Sequence, residues 1–363
     1  NLFEDLGFKY LGPIDGHNLD ELTEALMVAK MMQRPCLVHI YTKKGKGYAP
    51  AEDNSGEYHG LPPKKDDDNN CKGECFTDAF GKALLSFADK DNSIYAVTAA
   101  MKYGTGLQHF YKAFPERFFD VGIAEQHAVT FSAGLASQGK LPVFAVYSSF
   151  LQRSYDQLIH DCAIEKRHIV LGIDRAGFVG EDGETHHGLF DVAMLTTVPG
   201  VTVYSPSDTA ELSQCLEQAL YKDKGIVAVR YPRGCELYRS GTKAYSDFRH
   251  VSNKSRKLIF TYGRISAYAY TIHGVDVLQA IKIFPIADEM IDICLAYDEI
   301  YAFEEGEREG GIAQKLCTAL ALAGFKGRFT ITAVDGFVRH ADVAAQLHNA
   351  MLDADGMRKI TGE

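Results

Sequence analysis

Phe118-Phe119-Asp120-Val121-Gly122-Ile123-Ala124-Glu125-Gln126-His127 is the stretch on which the fold turns. Phe118 to Val121 has the apolar and aromatic character of a strand, and Gly122 interrupts it. Glu125 to Gln138 then continues as a helix built of Ala, Val, Phe and Leu, closed by Gly139. The same alternation of strand and helix extends outward on both sides. Ile94 to Thr98, Val143 to Tyr147, Ile169 to Asp174, Val201 to Tyr204 and Ile226 to Arg230 read as strands, and Asp208 with Glu211 opens a helix in capping-box spacing. Such alternation predicts an α/β domain, a parallel sheet covered by helices on both faces in three αβα layers.

Around this domain, residues 76–240, the chain divides further. Asn18 and Glu21 cap a first helix that Pro35 ends, and Cys36 to Tyr41 reads as a strand, so residues 1–48 form one αβ unit, too small to stand as a domain. Residues 49–75 turn polar, with Pro62-Pro63 and a dense charge run at Lys64 to Asp68, the composition of an extended linker. After an irregular stretch from Cys235 to Lys257, a smaller α/β domain fills residues 241–363. Its candidate strands are Leu258 to Thr261, Glu299 to Glu304 and Phe329 to Val334, and its helices lie near Ala287 to Cys294 and Gly311 to Ala323.

Composition excludes several classes. A net charge of −10 repels nucleic acid and anionic membrane surfaces, so a bound anion must be held by local cations. Apolar runs such as Leu141 to Tyr147 are too short to span a bilayer and no signal segment opens the chain, which gives the expectation of a cytoplasmic protein. An N-terminal Asn where a natural chain has Met carries the expectation of a segment upstream. The cysteines read as free thiols; Cys71 and Cys75 lack the further ligands a zinc site needs. Gly104-Thr105-Gly106 has no third glycine in register for a dinucleotide fingerprint, and neither a P-loop nor a G-x-S-x-G elbow occurs.

In an open α/β sheet, ligands bind beyond the carboxyl ends of the strands. Glu125 stands there, either complementing a helix dipole or serving as a catalytic carboxyl. Tyr147 to Arg153 follows another strand. The segment from Arg175 to Gly188 is too rich in glycine and ionisable residues to be a packing element, and Arg233 follows a further strand. Arg153, Arg175 and Arg233 gathered at one rim make a clamp for phosphate or carboxylate; scattered, they are surface charges.

Five strings taken together, Gly12 to His17, Asp120 to Val129, Tyr147 to Arg153, Asp174 to Gly188 and Tyr231-Pro232-Arg233-Gly234, resemble the 1-deoxy-D-xylulose-5-phosphate synthase family in order and spacing. The resemblance implies a pyrimidine-binding domain of transketolase type followed by a transketolase C-terminal-like domain. It implies an enzyme that condenses pyruvate with D-glyceraldehyde 3-phosphate on thiamine diphosphate and Mg²⁺, releasing CO2, and that works as a homodimer. On that resemblance Glu125 bonds the cofactor's pyrimidine nitrogen, while Phe150 and Ile123 also contact the cofactor. Tyr147, Arg153, Arg175 and Arg233 bind the phosphorylated acceptor, Asp182 and His186 lie near the reacting carbons, and His17 relays protons. Asp182 and His186, four apart, hold each other's orientation if their loop is helical. His127 is read as structural. A transketolase, or a β-type subunit of pyruvate dehydrogenase, shares part of the pattern; a non-catalytic half that binds a partner is the reading from another class. The Gly-Asp-Gly element with which the family holds its metal occurs nowhere in the chain. Residues 1–48 are therefore expected to be the tail of a diphosphate-binding domain whose metal ligands lie in a missing region or on a separate chain.

Overall fold

The computed structural model describes residues 1–58, 73–237 and 244–363. Two compact units divide the chain, residues 1–69 and 70–363. In the first, β1 (Lys9–Asp15) and β2 (Cys36–Tyr41) pair in parallel around the helix Leu19–Met31, which Asn18 caps by accepting from the Glu21 amide. Strand β1 was not expected. Gly12-Pro13 breaks its apolar alternation, and only pairing with β2 supplies the hydrogen bonds that define it. The linker is not wholly extended either, since Ala49–Asp53 forms a short helix with proline in its first turn. The rest of the linker, including Cys71, lies largely outside the described residues.

The second unit contains two sheets. Strands β3 (Ile94–Thr98), β4 (Phe118–Asp120), β5 (Leu141–Tyr147), β6 (Ile169–Asp174), β7 (Thr202–Tyr204) and β8 (Ile226–Arg230) fall where the alternation places them. Further along come β9 (Phe248–Val251), β10 (Lys257–Tyr262), β11 (Asp276–Ala280), β12 (Lys282–Phe284), β13 (Glu299–Glu307) and β14 (Arg328–Val334). The larger sheet runs β12-β7-β8-β6-β5-β3-β4 and the smaller β14-β13-β10-β11-β9. Both are parallel except for β12 against β7 and β9 against β11. The stretch from Cys235 to Lys257 is thus not irregular throughout, because it supplies the edge strand β9. Strand β12 crosses back to complete the first sheet. Neither Phe248 to Val251 nor Lys282 to Phe284 carries a sustained apolar alternation from which a strand could be read without its partner.

Period-2 alternation along the central strands decides the layering. Val97, Phe144, Val146, Leu171 and Ile173 point to one face, where Val129 and Ala133 of the helix Glu125–Ser137 cover them. Ile94, Ala96, Val143, Ala145 and Val170 point to the other, against Phe76, Phe80 and Leu84 of the helix Phe76–Ala88 and Leu212 and Leu216 of the helix Thr209–Tyr221. The first of these cores runs on into Leu258, Phe260, Leu278 and Ile300 of the smaller sheet, so the two sheets share apolar contact. Cys162, Cys215 and Cys294 are buried free thiols, but Cys235 is disulfide-bonded, against the expectation. An antiparallel bridge also sets Cys235 beside Cys75, 160 positions away, but Cys75 is not its disulfide partner.

Candidate active site

The carboxyl ends of β4, β5, β6 and β8 form the rim on which the candidate residues stand. At the end of β4, the Asp120 carboxylate accepts the amides of Ala100 at 2.8 Å and Gly122 at 3.0 Å, which turns the chain sharply into the helix Glu125–Ser137. Glu125 occupies the first turn of that helix, only 2% exposed, where the positive end of the helix dipole favours an anion. Ile123, in the turn before it, is 79% exposed, and His127 is also exposed.

Strand β5 ends at Tyr147, and a short helix, Ser148–Leu151, carries Phe150 next to it. The Phe150 and Tyr147 rings stack with centroids 5.8 Å apart. Arg153 lies over the Phe150 ring at 5.3 Å and donates through Nη1 to both carboxylate oxygens of Glu125, at 3.2 and 3.1 Å. The Arg175 guanidinium lies over the Tyr147 ring at 3.7 Å. A stacked series, Arg153-Phe150-Tyr147-Arg175, therefore separates two arginines that the sequence placed in one clamp. Arg153 does not join Arg175 and Arg233; it belongs with Glu125.

Arg175 and Arg233 do converge. The Asp182 Oδ2 atom lies 2.8 Å from Arg233 Nη1 and 3.8 Å from Arg175 Nε, and that Nε is buried with no hydrogen-bond partner. Arg175 itself is held in a left-handed conformation, φ +62°, unusual for a residue with a side chain. Its Nη1 donates to the Gly104 carbonyl at 2.8 Å and to Asp174 Oδ1 at 3.1 Å. A Cβ at Gly104 would collide with the Tyr147 hydroxyl where it now lies. Burial pushes the Tyr147 phenol up, and the Arg175 charge partly offsets it.

Asp182 and His186 do not orient each other. The helical geometry their spacing required is limited to one 3₁₀ turn, Gly180–Asp182, which Gly183 ends at φ +77°. Asp182 turns to the arginines, while His186 pairs with Thr185 and meets the edge of the Phe150 ring at 5.2 Å. His17 lies in the first unit, where its Nε2 accepts the Lys43 amide at 2.8 Å and its own amide donates to Asp15 Oδ1 at 2.9 Å.

Sequence reasoning passed over Asp174. It ends β6, is fully buried, and accepts from Thr77 Oγ1 at 2.7 Å as well as from Arg175. Burial raises its carboxyl to about 6, against the opposing pull of Arg175 and Thr77. An aspartate immediately before a rim arginine, at the end of an apolar strand, was the available signal.

A cavity of about 760 Å³ opens beside the Arg153-Phe150 pair, lined also by Ser148, Ser149, Phe190 and Phe337. The Ser148 and Ser149 hydroxyls are buried without hydrogen-bond partners. Orphaned donors, an aromatic face and a buried carboxylate nearby form a donor set that suits a flat, nitrogen-bearing ring. Among the described residues, no three His, Cys, Asp or Glu side chains gather to hold a metal ion.

A doubly covered parallel sheet with this rim is the transketolase fold, and residues 75–236 match the family model for the transketolase pyrimidine-binding domain. The solved structure of a split-gene transketolase, an inactive beta4 tetramer, superposes with a TM-score of 0.69 at 23% identity, covering 78% of this chain and 96% of that one. Campylobacter jejuni transketolase superposes with a TM-score of 0.65 at 15% identity, covering 99% and 68%. Residues 1–42 match the family model for 1-deoxy-D-xylulose-5-phosphate synthase. The synthase of Brevibacillus brevis is 41% identical over 98% of this chain, and that of Clostridium kluyveri 49% identical over 74%. The chain belongs to the 1-deoxy-D-xylulose-5-phosphate synthase family. It spans 59% of the length of the first of these relatives and 44% of the second.

Proposed function

We propose that this chain supplies the pyrimidine-binding side and the acceptor clamp of an enzyme that condenses pyruvate with D-glyceraldehyde 3-phosphate, giving 1-deoxy-D-xylulose 5-phosphate and CO2. One observation carries the reading: the buried Glu125 and the Arg175-Arg233 pair stand at the same sheet rim, linked through Phe150 and Tyr147. When bound, thiamine diphosphate supplies the carbon nucleophile and the electron sink for decarboxylation. Glu125 bonds the ring nitrogen of its aminopyrimidine, with Phe150 and Ile123 against the ring. Arg153 fixes the Glu125 carboxylate, a cofactor-side role that replaces acceptor binding. Tyr147, Arg175 and Arg233 take the phosphoryl oxygens, for which guanidinium is the fitting donor. Asp182 and His186 lie toward the reacting carbons.

Mg²⁺ and the diphosphate fall to the region that relatives have and this chain does not span. Two arrangements supply it, a longer natural chain that forms a homodimer or a separate diphosphate-binding chain. The split-gene transketolase supports the second, as a division of the enzyme between genes in that protein. None of the described helices is long and apolar enough to cross a membrane.

The test is Glu125→Gln in the complete enzyme. Turnover falls at least about 100-fold, cofactor affinity by titration calorimetry weakens, and the circular dichroism spectrum is retained. Wild-type rates would remove the cofactor role. Product analysis with pyruvate and glyceraldehyde 3-phosphate separates this reading from a transketolase, which releases no CO2.

A further inference from the structure

The loop that carries Arg175, Asp182 and His186 and the loop that carries Arg233 come from two different strands of the larger sheet, yet a single buried ion pair from the smaller sheet region holds both. Arg264 follows β10 and Glu305 lies on β13; they are 5% and 7% exposed. Arg264 Nε donates to Glu305 Oε2 at 2.9 Å, and Arg264 Nη2 pairs with Glu305 Oε1. The remaining capacity of the pair goes to site backbone. Arg264 Nη2 donates to the Phe178 carbonyl at 2.9 Å and Nη1 to the Arg233 carbonyl at 3.3 Å, while Glu305 Oε1 accepts the Phe178 amide at 2.7 Å. Gly177 leaves room for this approach, because a Cβ there would collide with the Glu305 carboxylate. Gln346, 1% exposed and also from the C-terminal part of the chain, accepts the Gly180 amide at 3.2 Å.

Replacing a buried ion pair by apolar side chains is often neutral for stability or better, so stability alone is a weak account of this one. Its fork matches the positions of two loops: a planar guanidinium fixes the separation between the Phe178 and Arg233 carbonyls to within hydrogen-bonding tolerance. That separation sets the spacing of Arg175 and Arg233.

We propose that Arg264 and Glu305 are positioning residues that set the distance between the two acceptor-binding arginines, so that the smaller sheet determines selectivity for a phosphorylated acceptor. The proposal rests on the reading that Arg175 and Arg233 take the acceptor's phosphoryl group. It is a structural role at a distance, through backbone, with no contact to substrate.

Arg264→Lys in the complete enzyme keeps the charge opposite Glu305 but loses the fork. Its KM for glyceraldehyde 3-phosphate rises about tenfold, whereas KM for unphosphorylated glyceraldehyde and the rate of pyruvate decarboxylation stay at wild-type values. Glu305→Gln, followed by hydrogen exchange, shows faster exchange at the Phe178 amide with the strands of the larger sheet still protected. An unchanged KM for the phosphorylated acceptor in Arg264→Lys overturns the proposal, and if Arg233→Ala raises that KM in parallel the functional reading itself stands. If Arg233→Ala has no effect on it either, both fall. Equal losses with both aldehydes also overturn it, since a loosened fold does not distinguish them.

Discussion

Arg153 donates through one guanidinium nitrogen to both carboxylate oxygens of Glu125, yet the two side chains are unequally exposed, 47% against 2%. Removing the exposed partner strands a buried charge, whereas removing the buried one leaves a cation that water can solvate. Arg153→Ala therefore costs about 1–3 kcal/mol of stability and Glu125→Gln less than about 1 kcal/mol. The double variant lies close to Glu125→Gln alone. Urea unfolding of the four proteins checks this cycle, and additive losses would show that the pair is not coupled.

Asp174 makes stability depend on pH in a defined direction. Its carboxyl is raised from 3.8 to about 6 in the folded state, so the native protein binds more protons than the unfolded chain between those values. Its contribution is fully present below pH 3.8 and is lost as pH rises through about 6. The groups facing it are Arg175, Thr77, Tyr147 and Tyr231. In Asp174→Asn the component disappears, so wild type loses up to about 3 kcal/mol relative to the variant between pH 4 and 7. Parallel stability curves for the two proteins across that range would contradict the assignment.

Arg233 is the more exposed of the two converging arginines and is the nearer to Asp182. Arg233→Ala removes one charge-assisted contact worth about 1.5–3 kcal/mol, so KM for the phosphorylated acceptor rises roughly 10- to 150-fold. Pyruvate decarboxylation in the absence of acceptor is spared. Steady-state kinetics with glyceraldehyde and with its 3-phosphate decide the point: equal losses with both would argue against a phosphate contact.

Gly177 tests how tightly the acceptor loop is seated. With φ at +82° and Glu305 where a Cβ would go, Gly177→Ala is strained in backbone and in packing at once. It destabilises the protein by about 1–3 kcal/mol, read as a lowered unfolding midpoint in urea. A midpoint equal to wild type would mean that the loop rebuilds without cost.

The legible part of this protein was local. Strands β3 to β8 and the helices between them follow from alternation and capping signals confined to a few residues, and the same short strings placed Glu125, Phe150, Tyr147, Arg175 and Arg233 at strand ends. Strands β9, β11 and β12 escaped because Arg249 and His250 interrupt the first, Asp276 and Gln279 the second, and three residues give the third no sustained alternation of its own.

Sequence by itself determined the layered sheet and which loops reach its carboxyl rim, because burial periodicity is written residue by residue. Tertiary structure alone decided which charges meet. Arg153 chose Glu125 across 28 positions, Arg264 met Glu305 across 41, and the Phe178 amide found Glu305 across 127. An ion pair depends on distance and exposure in the folded state, and no spacing along the chain encodes either.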